Sequence, residues 1–160
     1  MPIAPNVKPD RLVDKENKEA NRRKLAIEFA KEAGAYAKVY KGLEKKEVTL
    51  PECFVMMTLA SFACELFSKA LLYWLMSDDA FKVIKEHRLK ALFDKFSEEI
   101  QDKITSEWSG AESHIKKIDD NYEFCRYYPE YINKDCDYSS CCTYLNILEK
   151  LSGELIGYQL

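Results

Sequence analysis

The sequence predicts an all-α protein, an antiparallel up-and-down bundle of four long helices with one or two short ones. Three observations predict it. From Cys53 to Met76 run 24 residues, nearly all apolar, interrupted at the middle by Glu65 and Lys69. Apolar positions recur with a period near 3.6 in three other segments. Only five Gly and five Pro punctuate 160 residues, and no alternating run suggests a strand.

Residues 1 to 13 carry three prolines without periodicity and are expected to form a loose arm, leaving residues 14–160 as one helical domain. From Asp14 the pattern turns helical. Leu25, Phe29, Ala33, Tyr36 and Tyr40 form an apolar stripe, Lys24, Lys31, Lys38 and Lys45 recur every seven residues elsewhere, and Gly42 is expected to end the helix.

The second helix opens on Thr49-Leu50-Pro51-Glu52, which reads as a capping box with proline at the first helical position. Apolar residues on every side mean burial all round, in a protein core or in a bilayer. The ions decide between these. Glu65 and Lys69, four apart, share one helix face and would be costly at bilayer depth, whereas in a bundle they can pair. This segment is therefore expected to be the central helix of a soluble protein, with no membrane role.

Ser77-Asp78-Asp79 is a further N-cap cluster, predicting a short helix over 80–86. Leu89, Leu92, Phe93, Phe96, Ile100, Ile104 and Trp108 keep the helical period over about five turns, predicting a third long helix that Ser109-Gly110 breaks. Residues 114–128 are expected to be helical in part, with a loop around Pro129 and Asn133 to Asp137. A last helix capped by Ser139 or Ser140 would turn Tyr144, Leu148, Leu151 and Leu155 inward.

Net charge is −3, which excludes a globally basic nucleic-acid binder. The distribution is uneven: Lys15 to Lys46 holds ten Lys/Arg against five Glu, and Asp119 to Leu160 holds eight Asp/Glu against three Lys/Arg. Such ends attract one another, a subunit neighbour, or, at the basic end, phosphate. The N-terminus has no charged n-region or long apolar h-region, so a cytoplasmic protein is expected. Its six cysteines are then reduced thiols, and no Cys-x-x-Cys spacing calls for zinc, so neither metal nor cofactor is expected.

No Gly-rich phosphate loop, Gly-x-Ser-x-Gly elbow or His-Glu-x-x-His motif is present, and only two histidines, His87 and His114, offer general-base chemistry. Three features carry chemistry. Glu65 and Lys69 are either a buried structural pair or part of a site. His87 opens the run His87-Arg88-Leu89-Lys90-Ala91-Leu92-Phe93, where it would cap a helix, bond the core carboxylate or transfer protons. Arg126 lies among Phe124, Tyr127, Tyr128 and Tyr131, a composition that suits phosphate contact with base stacking or an arginine stacked beneath a loop.

Together these motifs resemble the HEPN family of helical-bundle proteins. Its Glu-Leu-x-x-Lys-Ala-Leu-Leu segment is answered by Glu65 to Leu72, its His-x-Leu-x-x-Leu-Phe helix start by His87 to Phe93, and its Arg-Tyr-rich stretch by Arg126 to Tyr131. The resemblance spans about residues 14 to 158 and implies a homodimer tied to RNA or nucleotides. It also implies a partner such as a cognate antitoxin or a nucleotidyltransferase in toxin–antitoxin or phage-defence systems. Many members are metal-independent endoribonucleases using an Arg followed after four to six residues by a His. Here Arg126 is followed at that spacing by Tyr131, Ile132 and Asn133, none of which replaces imidazole near neutral pH. The resemblance therefore implies a nucleic-acid-, nucleotide- or partner-binding module contacting its ligand through Arg126, Tyr127, Tyr128, Tyr131, Glu65 and Lys69. The alternative is a noncanonical ribonuclease using Arg126 with His87 or His114, and a purely structural assembly protein is a third class.

Overall fold

The computed structural model describes residues 18–44, 47–75, 85–121 and 137–157, and six helices and no strand lie among them. They are α1 (Lys18–Leu43), α2 (Leu50–Leu75), α3 (Leu89–Asp94), α4 (Glu98–Glu107), α5 (Ala111–Lys117) and α6 (Tyr138–Ile156). The expected arm over 1–13, the helix start at Asp14 and the short helix over 80–86 fall wholly or mostly outside the described residues.

The all-α class is as the sequence predicts, and α2 is the centre of the fold. Its capping box is formed: Thr49 N–H donates to Glu52 Oε2 at 3.0 Å, and Glu52 N–H to Thr49 Oγ1 at 3.4 Å. Pro51 occupies the second helical position, one later than expected, because α2 begins at Leu50. Every residue from Ala63 to Tyr73 is buried, which covers about three full turns and leaves no solvent face. By length and composition α2 could cross a membrane, yet most of its apolar window is buried inside this fold.

α1 packs antiparallel to α2. Near its start the Arg22 guanidinium donates to the carbonyls of Tyr73 and Trp74, at 2.7 and 3.3 Å, satisfying acceptors at the C-terminal end of α2. Farther along, Tyr36 meets Phe62 edge to face. The fully buried line of α1 is Ala26, Ala30, Ala33, Ala37 and Tyr40, while Leu25, Phe29 and Tyr36 of the predicted stripe are partly buried at its flanks. Alanines on the contact line let the two backbones approach, and the larger side chains close over the sides. α6 runs parallel to α2: Tyr138 packs on Phe54 and Met57, and Cys141 lies against Ser61 and Cys64.

The expected third long helix is two helices. Leu89, Leu92, Phe93, Phe96, Ile100 and Ile104 are all buried, as the period predicts, but the backbone breaks between α3 and α4. Lys95 and Phe96 make short-range bonds to the carbonyls of Leu92 and Phe93, and Ser97 turns extended with φ −60° and ψ 156°. Gln101 Nε2 then donates to the carbonyls of Phe93 and Phe96, at 3.2 and 3.0 Å, so the break leaves these acceptors satisfied. Ser97-Glu98-Glu99 is a start signal that the continuous apolar period concealed. Among the described residues there are accordingly three long helices and three short ones. Gly110, with φ +72°, makes the next corner in a conformation that side-chain-bearing residues rarely adopt.

The cap of α6 is Asp137, not Ser139 or Ser140. Its Oδ1 accepts from Ser140 N–H at 2.9 Å and its Oδ2 from the Ser140 hydroxyl at 2.6 Å. Burial pushes the Asp137 carboxyl up, but the two Ser140 hydrogen bonds, helped by His114 and Lys117, outweigh it and leave the pKa below the ordinary value. A carboxyl depressed by folding stabilises above its unfolded pKa, near 4, and loses that contribution as pH falls through the folded value. Asp137→Ala is therefore expected to cost about 1–2 kcal/mol at pH 7. The gap to the parent chain should narrow below about pH 4, as denaturant titrations at the two pH values would measure.

Candidate functional site

The site grows from the two ions of α2. A spacing of four residues puts Glu65 and Lys69 on one helix face, and the burial of α2 takes both from water: their side chains are 2% and 4% exposed. Lys69 Nζ donates to Glu65 Oε1 at 2.7 Å. The same oxygen receives His87, whose Nδ1 lies 2.8 Å away although its side chain is 62% exposed. A carboxylate only accepts, so Nδ1 is the donor, and the outward Nε2 is an acceptor in the neutral ring and a donor in the protonated one. Glu65 Oε2 is buried and has no hydrogen-bond partner among the described residues. One buried carboxylate thus joins a buried ammonium to an imidazole at the surface.

The segment before α3 is fixed around this imidazole. Glu86 Oε1 accepts from the backbone N–H groups of His87 and Arg88, both at 3.0 Å. Arg88, the residue at the N-cap, supplies no side-chain cap. The missing acceptor comes from Asp119: its Oδ1 takes Lys90 N–H at 2.7 Å, and its Oδ2 pairs with Arg88 at 2.8 Å. Asp119 lies 29 residues downstream of Lys90, beyond any local capping signal.

His114 belongs to a different knot. Its ring stacks on Trp108 with centroids 5.0 Å apart, and its Nδ1 lies 3.4 Å from the Ser140 hydroxyl that donates to Asp137. It ties α5 to the start of α6. The fold therefore brings Glu65, Lys69 and His87 together and gives His114 other partners. Arg126, Tyr127, Tyr128 and Tyr131 lie outside the described residues.

The cysteines make a seam among α1, α2 and α6. Cys141 Sγ is 3.3 Å from Ser61 Oγ, and Cys64 donates to the Cys141 carbonyl at 3.9 Å. Burial pushes the Cys64 thiol well up, so it packs as a neutral group. Tyr40 OH lies 2.6 Å from Cys142 Sγ and 2.9 Å from Tyr138 OH. Burial raises Tyr40, and raises Tyr138 to about 12. Among the described residues no three His, Cys, Asp or Glu side chains form a metal-holding group; Cys125 and Cys136 lie outside them.

The arrangement at Glu65 has two chemical uses. Nε2 of a neutral His87 can accept a proton, with Glu65 holding the ring as an orienting carboxylate does in hydrolytic triads. A protonated His87 can instead donate to an anion, next to the exposed Arg88 guanidinium. Comparisons with protein-family models, curated proteins and solved structures give no match for this chain.

Proposed function

We propose that this chain is a HEPN-like helical homodimer, cytoplasmic, that binds a phosphate-bearing ligand, RNA or a nucleotide, without cleaving it. The observation that carries this is the solvent-facing His87 ring, anchored at 2.8 Å to a carboxylate that is otherwise sealed in the core. A core ion pair needs no surface imidazole for stability, whereas an anion-binding edge does need a donor held in place. His87 and Arg88 supply two adjacent hydrogen-bonding groups at the start of α3, and the family resemblance implies further ligand contacts through Arg126 and its tyrosines, which lie outside the described residues. Binding rather than cleavage is favoured because Tyr131, Ile132 and Asn133 stand where a ribonuclease of this family has its histidine.

A second function is supported by the same dyad: metal-independent RNA cleavage, with His87 taking the 2′-hydroxyl proton and Arg126 neutralising phosphate charge. One experiment separates the two. The purified chain is incubated in EDTA with structured and single-stranded RNA, and with ATP and GTP. Retention of intact ligand, roughly tenfold weaker binding by His87→Ala, and a mass twice the 18.6 kDa of the chain are expected. RNA cleavage abolished by both His87→Ala and Arg126→Ala would establish the nuclease instead. A monomer that retains neither RNA nor nucleotide would overturn both.

A further inference from the structure

We propose that the groove beside α1 is a second anion site, built to receive a linear chain of phosphates without reading any base. It encloses about 490 Å³ along the exposed side of α1, with Lys31, Lys38 and Lys41 on its walls, Gly34 and Ala37 among its floor residues, and Glu149 of α6 at its edge. It uses no residue of the Glu65–His87 site. Three ammonium groups therefore line the groove with one carboxylate, Glu149, and Lys31 also pairs with Glu28 outside it.

The spacing selects the ligand. At 1.5 Å per residue, Lys31 and Lys41 are separated by about 15 Å along the helix, with Lys38 between them. One isolated phosphate calls for donors that converge, and a row calls for repeated charges. The small floor residues leave the volume open between the lysines. No aromatic side chain lines the groove among the described residues, so these supply no platform on which a base could stack. Lysine also presents a point charge rather than the planar fork that reads base edges.

The ion pairs already present do not close the groove. Lys41 holds both oxygens of Glu149, at 2.8 and 2.9 Å, and Lys31 holds Glu28 at 2.9 Å. Exposed pairs of this kind contribute little and exchange readily for a stronger anion. Lys38 has no ion-pair partner among the described residues and is the natural first contact. Glu149 then acts as an internal competitor, occupying Lys41 until a phosphate displaces it.

The test measures binding of the intact chain to 20-residue oligo(U) and oligo(A) and to inorganic polyphosphate of similar length, in EDTA, from 50 to 300 mM salt. Equal affinity for the two oligonucleotides is expected, with measurable polyphosphate binding. Three neutralised phosphates should give a log–log salt slope near about −2, which Lys38→Ala reduces by about 0.7. Lys31→Glu combined with Lys38→Glu should weaken binding more than tenfold, and Glu149→Gln should tighten it several-fold. Melting curves of each variant confirm that these surface changes leave the fold intact. Affinity that follows base identity, an unchanged salt slope in Lys38→Ala, or weaker binding by Glu149→Gln would each overturn the proposal. If His87→Ala abolishes RNA binding while the lysine variants leave it untouched, the groove fails and the His87 site stands.

Discussion

Glu65→Leu is expected to destabilise the protein by about 3–5 kcal/mol, because it takes the counter-ion from a buried ammonium, that of Lys69. The Lys69 side chain is 4% exposed and lies 2.7 Å from the carboxylate that the substitution deletes. Water cannot replace that partner without opening α2 between its neighbours. Lys69→Met should cost less, since Glu65 Oε1 keeps its bond to His87 Nδ1. The double variant, with leucine at 65 and methionine at 69, should recover much of the loss, as apolar groups of similar volume often replace a buried ion pair at little cost. Urea titrations of the four proteins measure this cycle. Equal losses in both single variants, or a double variant worse than either, would show that the pair contributes more than mutual neutralisation.

Phe67→Ala is the second large effect, about 3–5 kcal/mol. Phe67 is fully buried in the stretch of α2 that has no solvent face. Removing its ring leaves a cavity in a close-packed core that relaxes only in part. For a domain of this length the loss corresponds to a fall in Tm of roughly 6–20 °C, readable by calorimetry. A fall of only a few degrees would mean that the surrounding core collapses onto the gap.

These two residues also show what a linear sequence conveys. Burial of Glu65 and Lys69 followed from the apolar residues around them, and the four-residue spacing announced their contact. The Thr49–Glu52 capping box was equally local. The bond from His87 to Glu65 was readable only as one option among several, because it spans 22 residues and depends on how the chain returns to α2. The break at Lys95 to Ser97 escaped for another reason: Phe96 stays buried across it, so the apolar period runs on unbroken while the hydrogen-bond ladder does not. At the start of α6 the sequence offered Ser139 or Ser140 as the cap, whereas the helix begins at Tyr138 and puts Asp137 in that place. The lysine groove was hidden in a periodic row of charges, since Lys41 belongs to it and is not part of the seven-residue repeat.

Asp119 gives the short helices a shared fate. By holding the first turn of α3 through Lys90 and gripping Arg88, it makes the beginning of that region conditional on its far end. A six-residue helix has too few internal bonds to persist unaided. Residues 88 to 119 are thereby tied at both ends and are expected to open together. If His87 binds an anion as proposed, that binding should weaken wherever this region opens.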